Sequence, residues 1–277
     1  MREEKLTALI LTVLLSIAAA LYLFPVYWMV STATKTRLDA LSIPPKWIYK
    51  PTLEHFKAIF SRGSGSSFAH QLLNSFIVSF ASTGLVTIFG SLAGYAFSRF
   101  PLKAKDDLLF FILSTRMLPP IVVIIPLAVM YRSLGLFDTR LGLIIAYTVF
   151  NLSFAVWMMK SFVDEIPKEY EEAAMVDGYS RLRAFLKFVL PEMRTGMVAT
   201  AIFSLITSWN EFTFALLLTA DKARTAPPSI AQSMGVSGTN WGYIAAGSLL
   251  LVIPVAAFTF ILRKHLLRGF TFGAIKG

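Results

Sequence analysis

Long apolar runs separated by short polar segments dominate the pattern of this chain. Six runs, at 6–30, 71–97, 108–131, 141–162, 196–219 and 243–262, are long enough to cross a bilayer as helices, which takes about 20 residues each. The pattern therefore predicts an all-α, polytopic membrane protein with six transmembrane helices, forming one domain over 1–277. Two polar stretches stand out between the runs: a loop at 31–70 and an island at 163–195.

The island reads as a helical hairpin. Pro167 suits a first helical position, where its missing N–H has no intrahelical partner. Glu169, Glu171 and Glu172 then fall in the first turns, where the helix dipole favours negative charge. Ala173 and Ala174 form helix readily and let another surface approach closely, and Asp177-Gly178 ends the helix because glycine tolerates a left-handed cap. Ser180 is placed to cap a second helix, in which Leu182, Phe185, Leu186 and Val189 make one apolar stripe and Pro191 acts as the stop. Arg183 and Lys187 lie on a different face. A hairpin lying among lipid headgroups accounts for the stripe and the basic residues. It does not account for an Ala-Ala step and a sharp turn set among acidic residues, which suit a protein partner.

Composition agrees with the membrane reading. Apolar residues make up 56% of the chain, charged ones 15%, and the mean hydropathy is +0.65, whereas soluble chains are about 25% charged. The absence of cysteine excludes disulfides, thiolate metal sites and cysteine nucleophiles. His55, His70 and His265 are scattered, match no metal-ligand spacing, and read as solvated loop side chains. The net charge of +10 sits in the loops, where anionic lipid explains it better than nucleic acid does. With the amino terminus inside, fifteen Lys and Arg fall on the inner side and ten on the outer side, so both termini are expected in the cytoplasm. Arg2, Lys5 and Ala18-Ala19-Ala20 have the look of a signal peptide, but the apolar run continues unbroken to Val30, which favours a retained first span. The 31–70 loop, with Pro44-Pro45 and the run Arg62-Gly63-Ser64-Gly65-Ser66-Ser67, reads either as a connector or as a contact surface for an external partner. No Gly-x-x-x-x-Gly-Lys-[Ser/Thr] phosphate loop is present, so energy from ATP has to come from another subunit.

Polar residues inside the spans need a protein or aqueous environment, because a mid-bilayer charge costs about 2.5–3.5 kcal/mol on insertion scales. Arg116 is about 12 Å into its run and Glu211 about 22 Å into its own, at 1.5 Å per residue. A direct pair between them requires tilt or an intermediary, for which Asn151 is the candidate. Asn210 and Glu211 either glue helices together or line a solute path, where Tyr147, Trp209 and Phe212 would supply aromatic faces. Pro119-Pro120 and Pro126 predict a kink in the third span.

Glu172-Ala173-Ala174, three residues, Gly178, nine residues, Phe188 and then Leu190-Pro191 resemble the cytoplasmic loop of permease subunits in ATP-binding-cassette importers. Phe188 stands where that family usually has Ile. Arg116-Met117-Leu118-Pro119-Pro120, Leu134-Gly135-Leu136, Ser208-Trp209-Asn210-Glu211-Phe212 and Arg268-Gly269-Phe270-Thr271 extend the resemblance, to the maltose-type sugar importers, from about residue 70 to the end. The resemblance implies a non-catalytic subunit with no cofactor of its own, ATP and Mg being bound by the ATPase. It implies as partners a second, homologous permease, two ATPase copies, an extracytoplasmic solute-binding protein and membrane lipid, in a bacterial or archaeal cytoplasmic membrane. The ATPase-docking residues it implies are Glu171, Glu172, Ala173, Ala174, Asp177, Gly178, Phe185, Leu190 and Pro191; the solute-path candidates are Arg116, Tyr147, Asn151, Trp209, Asn210, Glu211 and Phe212. The basic tail from Arg263 is expected either to anchor the sixth span or to reach the ATPase pair. The competing readings are a permease for a non-sugar solute, a secondary transporter, which wants more buried carboxylates than Glu211 alone, and an intramembrane enzyme, for which no catalytic constellation is present.

Overall fold

A computed structural model describes residues 2–61, 67–232, 234–235 and 238–271, with side chains described over 5–61, 67–232 and 239–260. Most of the Gly/Ser run, the side chains of the basic tail and the last six residues lie outside the described residues. In chain order the helices are α1 (Arg2–Thr34), α2 (Arg37–Ala40), α3 (Glu54–Ser61), α4 (Phe68–Arg99), α5 (Lys105–Ser114), α6 (Pro120–Ser133), α7 (Arg140–Asp164) and α8 (Glu169–Val176). They continue as α9 (Arg181–Ala184), α10 (Leu190–Glu192), α11 (Arg194–Trp209), α12 (Thr213–Leu218), α13 (Ala226–Ala231) and α14 (Trp241–Thr271). A two-residue antiparallel ladder pairs Met234–Gly235 with Gly238–Thr239, a local addition to an all-α fold.

Among the described residues four helices, α1, α4, α7 and α14, are long and apolar enough to cross a membrane unbroken, and up to six spans result if each bent helix pair counts as one. The third apolar run is one of the bent pairs. It turns by 91° between α5 and α6, through a tight turn at Thr115–Met117 and Pro119-Pro120, as proline's missing donor requires. The fifth run is shorter than its hydropathy predicted. α11 ends at Trp209, because the Glu211 carboxylate accepts from the N–H groups of Phe214 (3.0 Å) and Ala215 (3.1 Å) and so opens a new helix, α12.

The chain divides into two compact units. The first comprises 1–68 and 229–253. In it the apolar window of α1 has no buried residue, as a lipid-facing helix should. Its end is tied down by Thr52 N–H donating to Thr34 O (2.8 Å) and by a hydroxyl pair between Thr34 and Tyr49 (2.9 Å). Lys35 lies over the rings of Trp28 (5.3 Å) and Tyr49 (5.0 Å). His55 is buried rather than solvated: its Nε2 meets Lys35 O at 2.9 Å, and Gly242 lies so close that a Cβ there would enter the imidazole. The expectation of a free loop histidine fails because the 31–70 loop folds back on itself through α3.

The second unit comprises 69–228 and 254–277. Val78, Ile124, Tyr131, Leu143, Ala146, Tyr147, Phe214 and Leu218 form its core. α4 and α7 approach backbone to backbone at Gly94, where a Cβ would stand 2.7 Å from Lys160 N. A buried polar seam joins α4, α7 and α11. Asn151 Nδ2 donates to Ser208 Oγ (3.1 Å), Ser82 Oγ donates to the same oxygen (3.2 Å), and Thr207 Oγ1 donates to Asn151 Oδ1 (2.8 Å).

Away from the hairpin, the start of α4, the start of α7 and the 219–226 segment are knotted together. Asp138, with φ at 55°, accepts from the backbone N–H groups of Ala220, Asp221, Lys222 and Ala223 at 3.0–3.2 Å. Asn74 donates to the carbonyls of Lys222 (3.0 Å) and Arg224 (2.9 Å) and accepts from Arg140 Nε (2.7 Å). His70 Nε2 also meets Lys222 O, at 3.1 Å, so it too is engaged rather than merely solvated. Burial works to raise the Asp138 carboxyl, but the four N–H groups outweigh it and hold its pKa below the ordinary value.

Candidate functional site

The polar island forms the expected hairpin, with three local differences. Pro167 precedes α8 by two residues, and Lys168 holds the cap position. The second arm is α9, a wide π-turn over Phe185–Val189 and then α10. Pro191 does not stop the arm: it lies within α10, and the chain turns by 74° into α11. Gly178 has φ at 88°, the left-handed conformation expected of the turn. Ser180 caps α9 by accepting from Arg183 N–H (3.4 Å).

The hairpin has a pinned face and an open face. Glu171 points inward, its side chain 6% exposed beside an Arg99 side chain that is 4% exposed. One carboxylate oxygen is ion-paired with Arg99 Nε, and the other accepts from the Tyr95 hydroxyl at 2.6 Å. Arg99 Nη2 also donates to Ile166 O (2.6 Å). Phe185 is buried against Tyr95 (ring centroids 4.5 Å apart) in a cluster with Met159, Val163, Val189 and Met193, against which Leu190 packs. Ala174 is buried as well, so its small side chain serves packing within the chain. The single apolar stripe expected of the second arm is divided: Phe185 and Val189 face inward, while Leu182 and Leu186 stay exposed. The wide turn changes the angular step per residue, which separates positions that a regular helix would align.

Glu172, Ala173, Asp177, Gly178 and Pro191 lie on the open side, together with Tyr170 and Val176, the latter 88% exposed. Pro167, Tyr170, Ala173, Ala174, Asp177 and Phe188 line a hollow of about 380 Å³ there. Of the docking residues expected from sequence, Glu171, Ala174, Phe185 and Leu190 thus belong to the anchor, and Glu172, Ala173, Asp177, Gly178 and Pro191 are exposed. Tyr170 and Val176 lacked any motif that marked them out.

The in-span candidates separate in the same way. Arg116 sits at the α5–α6 bend among the rings of Phe150 (5.0 Å), Phe203 (5.2 Å) and Phe154 (5.5 Å), with Nη1 buried and unbonded. It borders an apolar hollow of about 480 Å³ that Leu118, Tyr131, Phe150 and Phe214 also line. Aromatic faces, not Glu211, accommodate this charge. Asn151 joins the polar seam rather than bridging Arg116 to Glu211. Trp209 is buried against Phe76 (4.8 Å). Tyr147 is buried near Glu211 and Thr225 without meeting a partner at hydrogen-bond geometry. Asn210 and Phe212 are exposed at the break after α11. Among the described residues no cluster of His, Asp or Glu is arranged to hold a metal ion.

A membrane fold with bent spans and a pinned helical hairpin is the architecture of an ATP-binding-cassette permease. Residues 86–271 match the family described as the binding-protein-dependent transport system inner membrane component, and the chain belongs to that family of non-catalytic transport subunits. It is 34% identical to the trehalose/maltose transport system permease protein MalG of Thermococcus litoralis, with 100% of both chains covered. It is 36% identical to the trehalose transport system permease protein SugB of Mycobacterium tuberculosis, over 92% of this chain and 93% of that one. Among solved structures, a bacterial transporter involved in the import of the acidic polysaccharide alginate has the same fold, with TM-score 0.75 and 19% identity over 95% of this chain and 98% of the other.

Proposed function

We propose that this chain forms half of the path for a sugar or sugar derivative in an ATP-driven importer. In this reading the open face of the hairpin seats on a separate ATPase, which binds ATP and Mg²⁺. A second, homologous permease supplies the other half of the path, two ATPase copies power it, and an extracytoplasmic solute-binding protein delivers the solute. Both termini lie in the cytoplasm. The observation that carries the docking assignment is the two-faced hairpin, anchored by Glu171 and Phe185 while Tyr170 and Val176 stand exposed at 60% and 88%. Large exposed apolar side chains beside Glu172 and Asp177 fit a protein cleft better than water. The sugar assignment rests on relatives named for trehalose, maltose and diacetylchitobiose. Asn210, Phe212 and Arg116 are the side chains proposed to border the path, the first two because they are exposed and Arg116 because it borders a hollow with one nitrogen unbonded.

The test is purification of the complex encoded with this chain, reconstitution, and ATP hydrolysis with and without sugar-loaded binding protein. Glu172→Lys and Gly178→Pro are expected to abolish transport and stimulated hydrolysis while the chain still inserts. Solute uptake by the isolated chain, or full stimulation in both variants, overturns the reading.

A further inference from the structure

The hairpin covalently joins α7 to α11, so by connectivity alone its movement acts on those two helices. Its side chains reach a third. Apart from the apolar cluster that Phe185 and Val189 share with Met159 and Val163 of α7, the contacts of its pinned face are made with the last turns of α4 or the residue just beyond. Glu171 of the first arm holds Tyr95 and Arg99. Phe185 of the second arm packs on Tyr95, and Arg181 lies over the ring of Phe100 at 4.9 Å. Arg99 also ties the end of α4 to the linker entering the hairpin through Ile166 O. The chain of contacts closes back on α7: Arg99 Nη1 donates to Ser98 Oγ (3.1 Å), Ser98 Oγ donates to Asp164 Oδ1 (2.5 Å), and Lys160 pairs with Asp164 Oδ2 (2.5 Å).

We infer that Arg99 and Glu171 are positioning residues that make α4 a third driven helix: the buried pair carries displacement of the hairpin into α4, so that α4, α7 and α11 move as one body. The inference rests on the docking function proposed above. A buried, multiply bonded pair suits this role because it has one geometry and yields little, whereas apolar contacts slide. α4 is also the helix that shares the polar seam, through Ser82 and Ser208, so a displacement at Arg99 is delivered to the middle of the span.

The test uses the full complex. Arg99→Met with Glu171→Met removes both charges together, so no buried charge is left unpaired and the fold is retained. The double variant is expected to co-purify with its ATPase in wild-type proportion and to hydrolyse ATP, while solute moved per ATP falls at least tenfold. Tyr95→Phe, which deletes one hydrogen bond, should give a smaller fall. Because the chain lacks cysteine, spin labels at Leu102→Cys and Leu186→Cys, the latter exposed on the second arm and outside the docking set, report the α4–hairpin distance. That distance should stay constant through the ATP cycle in the wild type and change in the double variant. Unchanged solute per ATP in the double variant, or loss of its ATPase, overturns the inference, the latter by placing the pair in folding or docking. Failure of the wild-type chain to bind an ATPase at all is a separate result, which rejects the docking function.

Discussion

The two ends of α4 hold their neighbours by opposite means. Near its start, Asn74 and, from the α7 side, Asp138 hold the 219–226 segment by its backbone, through N–H and carbonyl groups that any residue but proline would offer. Near its end, Arg99 and Tyr95 hold the hairpin chiefly by side chains, above all that of Glu171, with Phe185 stacked on Tyr95 and one backbone carbonyl, Ile166 O, taken by Arg99. Backbone clamping fixes the shape of a segment and leaves its side chains free to vary. Side-chain pairing makes the attachment specific and concentrates it in one buried charge pair. The first suits a rigid rim; the second suits a joint that has to transmit force.

The sharpest way to break this contrast is to remove one partner at each end. Glu171→Ala leaves Arg99 buried without its counter-charge and is expected to cost about 3–5 kcal/mol, read as a lowered thermal midpoint of the purified protein. Asp138→Ala removes one acceptor serving four N–H groups in a partly solvated place and should cost about 2 kcal/mol. Hydrogen exchange should rise at 219–223 and stay unchanged in the hairpin; equal loosening of both would show that the ends are not independent.

Gly94→Ala probes the segment between the two ends. Its Cβ would stand 2.7 Å from Lys160 N, an overpacking cost of about 1–3 kcal/mol. Exchange should increase around the hairpin and not around Asp138. Gly178→Ala strains a residue at φ 88° by about 1 kcal/mol, with a small fall in thermal midpoint. The smallest effect is that of pH at the Asp138 clamp. Its pKa is depressed in the folded state, so its stabilisation is full above the ordinary aspartate value of about 3.9 and is lost as pH falls through the lower folded value. Midpoints of wild type and Asp138→Asn compared from pH 7 to 3 should draw together only at the acid end.

Much of this architecture was legible in the chain. Hydropathy located the membrane-crossing runs, Pro119-Pro120 announced the α5–α6 bend, and Gly178 and Ser180 marked the turn and cap of the hairpin. The readings that needed correction share a cause. Glu211 looked like a mid-span charge but starts a new helix, and Arg116, which could have reached it only through tilt or through Asn151, is surrounded by phenylalanine rings instead. His55 looked solvated but is buried, and the stripe from Leu182 to Val189 was divided by a π-turn.

Local pattern determined which segments are helices, where the chain turns, and that one polar hairpin interrupts the apolar runs, because helix periodicity, caps and breakers act within a few residues. Tertiary structure alone decided which face of that hairpin is anchored. It chose the partners Arg99–Glu171 and Asp138 with the 220–223 backbone, which lie 72 and 82–85 residues apart in the chain. No periodicity records such pairings; they exist only once packed helices bring the groups within bonding distance.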